Sequence, residues 1–352
     1  MGARRMPQAG QKGIIEMNRV IITGPTGAIG MALLRYLEER GIQVIAVVRE
    51  DSDRKSQIQE SEQVMKVECG LNGLQKLPEI IRAAAEERKW DTGRMGDVFY
   101  HFAWEGAFGD GRNDISLQIR NISCALKAVE AADKLGCSAF IGAGSQAEFG
   151  RYEGKLNASV PAFPENGYGI AKLCAGQMTR ILCGQKGIRH IWTRILSVYG
   201  PYDRDITMIM NTIGRMLRGE RASCTKGEQI WDYLYAGDAA KMMYLLGEKG
   251  IHGKTYCLGS GDARPLKEYI EMIREEIGPD AEAGYGDIAY ADGQVMHLCA
   301  DIRELIEDTG YTPDYTFETG IRETIAWYRR SRMKQGETDA SQFPEGRSRR
   351  KG

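Results

Sequence analysis

Ile22-Thr23-Gly24-Pro25-Thr26-Gly27-Ala28-Ile29-Gly30 decides the fold. It follows the β-branched run Arg19 to Thr23 and opens onto Ile29, Leu33, Leu34 and Leu37, which recur at helical spacing. Strand, glycine turn and helix in that order read as a first βα junction that cradles an anion. Gly24 permits the tight turn, Gly27 lets backbone approach a pyrophosphate, and Gly30 allows helix and strand to pack closely. The free N–H groups at the helix start, with Thr26, Ala28 and Ile29 around them, supply the anion site.

Outward from this turn, strand and helix patterns alternate to about Gly200. Gln43 to Val48 is a second buried-type strand, followed by a helical stretch near Leu74 to Arg88. Asp97 to Ala103 and Ser138 to Ala143 are strand-like, separated by an amphipathic stretch from about Ser116 to Leu135. A helix over roughly Tyr168 to Gly184 and a strand over Arg189 to Ser197 complete the series. Such alternation implies an α/β fold with a doubly wound parallel sheet. Beyond residue 200 the pattern loosens into a smaller C-terminal α/β lobe, expected over 201–330 with some segments returning to the first domain (17–200). Its helices fall near Leu266 to Ile277 and Phe317 to Arg329. Met208, Met210 and Met216 read as core of another lobe helix.

Composition bounds the function classes. The 352 residues suggest two domains or one with a lobe. A net charge of -1, from 47 basic and 48 acidic side chains, argues against electrostatically driven nucleic-acid binding. No apolar run is long enough for a membrane span, and no signal-peptide pattern opens the chain, so it reads as soluble and cytoplasmic. Eight cysteines lack any C-x-x-C spacing and the four histidines stand apart, so neither a metal site nor a disulfide framework is expected. Residues 1–16 and 331–352, the latter ending in a basic cluster, are expected to be disordered.

Chemistry enters with Tyr168-Gly169-Ile170-Ala171-Lys172, which sets a phenol and an ammonium one helical turn apart. A phenol of pKa near 10 needs roughly 4 kcal/mol of charge stabilisation to act as a base at pH 7. Twenty-three residues before Tyr168, at the end of a strand, stands Ser145 within Gly142-Ala143-Gly144-Ser145-Gln146-Ala147-Glu148-Phe149-Gly150. Ser145 could polarise the same reacting oxygen.

Glycine turn, serine and Tyr/Lys pair in this order resemble the extended branch of the short-chain dehydrogenase/reductase superfamily, whose members include NAD(P)-dependent nucleotide-sugar epimerases and dehydratases. The resemblance covers roughly residues 17–330. It implies a Rossmann dinucleotide-binding domain, with Ser145, Tyr168 and Lys172 as the catalytic trio. It further implies cofactor contacts from the glycine turn, Gly70, Leu71, Phe102 and Ala103, and from Tyr168 and Lys172 themselves. Where NAD enzymes of the family carry a carboxylate after the second strand, this chain has Arg49, which favours NADP(H), with NAD(H) as the alternative.

The same resemblance sorts the reactions. Dehydratases of the family carry Asp-Glu where Gln146 and Ala147 stand, so elimination of water is not expected. What remains is a 4-ketoreductase or a 4-epimerase acting on a nucleotide sugar. Substrate contacts fall to Trp104, Ser145 and Gln146, and to two departures, Ser197 for the customary Asn and Trp231 for the customary Arg. Asp232 reads as a structural residue and His101 as a packing one. A homodimer is implied, built on the helices near 116–135 and 168–184. The competing readings are a reductase of a non-nucleotide carbonyl compound, and a non-catalytic NADP-sensing or RNA-associated protein.

Overall fold

A computed structural model describes residues 13–334. The elements follow in chain order: β1 (Arg19–Thr23), α1 (Ala28–Glu38), β2 (Gln43–Val48), β3 (Val64–Glu68), α2 (Leu77–Glu87), β4 (Val98–His101), α3 (Ile115–Lys134), β5 (Ala139–Ser145), β6 (Lys155–Leu156), α4 (Gly167–Lys186) and β7 (Arg189–Ile195). Then come β8 (Ser197–Tyr199), α5 (Met208–Leu217), β9 (Ala222–Cys224), β10 (Ile230–Tyr235), α6 (Ala236–Lys249), β11 (Thr255–Leu258), β12 (Ala263–Pro265), α7 (Leu266–Ile277), β13 (Ala283–Tyr285), β14 (Cys299–Ala300), α8 (Arg303–Thr309) and α9 (Phe317–Lys334).

Seven strands form one parallel sheet in the order β11-β7-β5-β4-β1-β2-β3. The connection changes direction at β1, which pairs with β2 on one side and β4 on the other. In a doubly wound sheet that switch point opens a crevice at the strands' carboxyl ends. One sheet face buries Val20, Ile22, Val44 and Ile141 against α1 and α6. The other buries Ile21, Ile45, Phe99 and Phe140 with α2 and α3. Strands covered on both faces need near-continuous apolar runs, which is why RVIIT and QVIAVV carry them.

The lobe has its own core, in which Ile209, Met210 and Ile213 of α5 pack with Tyr269 and Ile273 of α7 and Ile321 and Tyr328 of α9. Met210 and Met216 are buried there, and Met208 packs against them. Asp232, fully buried, accepts from Ser260 N and Oγ (both 2.7 Å), Ala300 N (2.9 Å) and Gly261 N (3.1 Å). It thereby ties β10 to β14 and to the loop after β11, and burial pushes its carboxyl upward.

Four details differ from the sequence reading. The strand β3 was not anticipated, nor was β11 at the opposite edge. These stand apart from the return of the chain to the first domain, which the sequence reading included: α6 packs on α1 and β11 pairs with β7. Residues 13–16 of the expected N-terminal arm are docked: Ile15 N donates to Glu248 O at 2.9 Å, and the Arg189 guanidinium holds the Gly13 carbonyl. At the other end α9 runs through Lys334, past the expected start of the tail. Residues 1–12 and 335–352 lie outside the described residues. No described helix is long and apolar enough to cross a membrane. None of the eight cysteines forms a disulfide with another described residue, and no described group of His, Cys, Asp and Glu could hold a metal.

Candidate active site

The crevice above β1 is a cleft of about 1700 Å³ that runs from the glycine turn to the ends of β5 and α4. At its floor Gly24 adopts φ +70°, and a Cβ there would meet Ala103 N at 2.7 Å. A Cβ on Gly30 would meet Gly24 O at 2.6 Å, so β1 and α1 could not approach as they do. Gly27 faces open space, its nearest neighbour being Gly24 O at 3.9 Å. It precedes α1 without a side-chain cap, and the first turn of that helix holds no acidic residue. Uncapped amides, a positive helix end and room where a Cβ would stand fit a dinucleotide's pyrophosphate.

Thr26, Ala28 and Ile29 line the same end, with Phe102, Ala103 and Leu71 opposite. Gly70 is not in the wall; it precedes a 3-10 turn beginning at Leu71. Arg49 is at the rim just beyond β2, half-exposed, its Nε 3.9 Å from Asp51. Arg54, which the sequence reading passed over, also lines the cleft and donates to the Tyr202 carbonyl.

Ser145, Tyr168 and Lys172 line the far end. Ser145 terminates β5, and its Oγ accepts from Ala147 N at 3.2 Å. The Ser145 hydroxyl acts on the neighbouring Tyr168 phenol in the direction that lowers the tyrosine's pKa. Burial outweighs this and raises it, with the Arg112 charge acting downward and Glu148 upward. Lys172 is almost fully buried, and its Nζ donates to Ala143 O at 2.6 Å and sits 3.8 Å above the Trp104 ring. Desolvation brings its pKa down to about 7, although Glu148 pulls upward.

Trp104 itself lines the cleft, edge-on to Tyr168 with centroids 6.3 Å apart. Its Nε1 donates to Gln118 Oε1 at 3.0 Å, so α3 fixes the ring's tilt. His101 packs beneath, its Nδ1 2.9 Å from Thr23 Oγ1, and burial lowers its pKa to about 3.

The turn after β5 holds a residue the sequence reading quoted but gave no role. Glu148 is fully buried and accepts from Ser145 N (2.9 Å), Trp192 Nε1 (3.0 Å) and Arg194 Nε (2.9 Å). Its bond to Ser145 N, with Ala147 N donating to Ser145 Oγ, makes a reciprocal cap that aims the serine. Trp192, which anchors the carboxylate, fills a slot made by Gly142 and Gly144 of β5 and Gly176 of α4. Those three glycines let the helix bearing Tyr168 and Lys172 approach the strand bearing Ser145. The signal available in the sequence was only G-A-G-S with a later W-x-R; nothing local joined them.

Three expected substrate contacts are placed away from the cleft wall. Gln146 is half-buried in the turn but does not line the cleft. Ser197 and Trp231 meet each other, Trp231 Nε1 donating to Ser197 Oγ at 2.8 Å. The two departures from the family pattern thus satisfy one another across β8 and β10.

The family model described as NAD dependent epimerase/dehydratase family matches residues 20–259. Among curated relatives, a dTDP-glucose 4,6-dehydratase of Xanthomonas campestris pv. campestris is 27% identical over 184 residues, covering 50% of this chain and 52% of its own. One of Escherichia coli is 30% identical over 176 residues, covering 47% and 49%. The chain therefore spans about half the length of the curated relatives it matches. Among solved structures, UDP-N-acetylglucosamine 4-epimerase from Methanobrevibacter ruminantium M1, in complex with UDP-N-acetylmuramic acid, superposes with a TM-score of 0.78 at 22% identity, covering 90% of this chain and 99% of that one. A dTDP-glucose 4,6-dehydratase from Bacillus anthracis, in complex with NAD, gives 0.74 at 20% identity, covering 90% and 98%. At these identities the structural likeness is one of fold. The glycine cradle and the Ser/Tyr/Lys end of the cleft lie within the stretch that the family model matches, and the chain belongs to the NAD-dependent epimerase/dehydratase family.

Proposed function

We propose that this protein oxidises or reduces C4 of a nucleotide-activated sugar, with Tyr168 as acid/base. The observation that carries this reading is the convergence of Ser145, Tyr168 and Lys172 on the cleft that the glycine turn floors. Tyr168 takes the proton from, or returns it to, the sugar oxygen, while Ser145 hydrogen-bonds that oxygen. Lys172, dry and held by Ala143 O, places positive charge near the phenol in the fraction of molecules where its ammonium is protonated. A nicotinamide cofactor in the cradle supplies the hydrogen acceptor or donor, and Gly27, Ala28 and Ile29 would hold its pyrophosphate.

The turn after Ser145 favours redox chemistry without elimination, as in a 4-epimerase or 4-ketoreductase. An amide at Gln146 and a methyl at Ala147 cannot cycle protons, and Glu148 is fixed by three donors out of reach of solvent. The relatives named as dehydratases weigh the other way, and the products formed decide between them. Arg49 and Arg54 at the rim support a preference for NADP(H); NAD(H) is the alternative. Trp104 is the best placed of the proposed substrate contacts. Ile115 and Ile119 of α3, with Ile170, Met178 and Ile181 of α4, are exposed on two helices packed together, which supports a homodimer through that face.

The test is a thermal-shift panel of UDP-, CDP-, GDP- and dTDP-hexoses with NADP or NAD, followed by product analysis. A ligand at a hundredfold excess over Kd stabilises the fold by about 2.7 kcal/mol. If no nucleotide sugar shifts the melting temperature while a small ketone does, a non-nucleotide carbonyl is the substrate.

A further inference from the structure

Behind Tyr168, on a short 3-10 turn at Gly109–Asn113, stands an arginine that no motif marks. The Arg112 guanidinium carbon lies 4.6 Å from the centre of the Tyr168 ring, closer than Lys172 Nζ at 5.7 Å. Its placement is built in. Arg112 Nη1 donates to Ala107 O at 3.2 Å, and Gln118 Nε2 donates to the carbonyls of Gly106 (3.0 Å) and Gly111 (2.7 Å). Asn113 Oδ1 accepts from Gly167 N at 3.0 Å, locking the turn to the residue before Tyr168. Arg112 does not line the cleft, so it presses on the phenol without occupying substrate space.

We infer that Arg112 is a positioning residue for the reaction: its guanidinium supplies standing positive charge that favours the phenolate form of Tyr168. The inference rests on the acid/base role proposed for that tyrosine. A ring that gains negative charge is held more strongly by a cation on its face than a neutral ring is, so the contact favours ionisation. The other groups facing the ring are Ser145 from β5, the edge of Trp104, Lys172 from its own helix and Glu148 from the turn. The Glu148 charge opposes ionisation but is compensated by Arg194 at 2.9 Å. Lys172 is spoken for by Ala143 O and Trp104, and burial leaves its ammonium only partly populated at neutral pH. A guanidinium keeps its charge throughout the working range of an enzyme.

The test follows the phenol itself. Protein labelled with carbon-13 at tyrosine Cζ is titrated by NMR, with Tyr168→Phe identifying the resonance. Arg112→Gln raises the Tyr168 midpoint by about one pH unit or more, and Arg112→Lys restores most of that shift. A merely structural role would not move the midpoint in this charge-dependent way. An unchanged midpoint in a folded Arg112→Gln protein, or an Arg112→Lys midpoint as high as that of Arg112→Gln, overturns the inference. Loss of the acid/base reading is distinguishable, because it shows as turnover that survives Tyr168→Phe, whatever Arg112 does to the titration.

Discussion

Replacing Glu148 by alanine removes a carboxylate with no solvent contact and strands three donors. Arg194 is left as a guanidinium whose side chain is 7% exposed and whose Nη1 already lacks a partner. Breaking a buried ion pair from one side costs about 3–5 kcal/mol, and each orphaned donor about 1–3 kcal/mol, although such terms overlap. We expect Glu148→Ala to lose roughly 5 kcal/mol, which at this chain length is on the order of 10 °C in Tm. Glu148→Leu combined with Arg194→Met removes both charges and should recover much of the loss, because the uncompensated charge goes with them. Urea unfolding followed by tryptophan fluorescence on wild type, Glu148→Ala, the singles Glu148→Leu and Arg194→Met, and the double variant reads the coupling directly. A Glu148→Ala cost under about 1 kcal/mol, or a double variant no better than the sum of its singles, would refute the interlocked turn.

Lys172→Met tests the dry lysine through pH. The folded pKa of Lys172 lies near 7 against an ordinary 10.5, so between those values the unfolded chain holds a proton that the folded one has shed. Wild-type stability relative to the variant should therefore rise with pH across that window; a difference that is flat or falling in unfolding titrations contradicts the burial. Gly144→Ala would bring a Cβ within 2.3 Å of Trp192 Nε1 and 2.4 Å of Glu148 Oε1. Calorimetry should show a loss of about 1–3 kcal/mol, and an unaltered Tm would mean that the slot is looser than drawn. Ile119→Asp with Ile181→Asp places charge on the exposed α3/α4 face. Light scattering should report a dimer for wild type and a monomer for the variant, and a wild-type monomer at micromolar concentration removes the proposed interface.

What could be read from sequence was what neighbouring residues fix by themselves. The glycine turn is local: φ at Gly24 and the approach at Gly30 leave few side chains permissible, so the pattern betrays the geometry. Tyr168 and Lys172 are a helical turn apart, and Ser145 ends a run of apolar residues that reads as a strand. β3 escaped notice because VMKVE carries Lys66 and Glu68 at an edge, blurring the buried-strand signature. Glu148 and Arg194 are 46 positions apart and meet only because β5 and β7 are neighbours. Arg112 likewise reaches Tyr168 only after α3 and α4 have packed side by side. Ser197 and Trp231 looked like two separate departures; the pairing of β8 with β10 makes them one contact.

The most direct test of the account is the fate of the hydrogen at C4. Nucleotide hexoses deuterated at that position, with UDP, dTDP, GDP and CDP carriers, are incubated with the protein and NADP or NAD, and followed by NMR and mass spectrometry. Wild type should move the label from C4 of at least one of them, or return it with inverted configuration. Tyr168→Phe should slow this by at least about a hundredfold, the scale of a lost acid/base. Label that stays at C4 in every carrier, or moves equally fast without the phenol, would contradict the account.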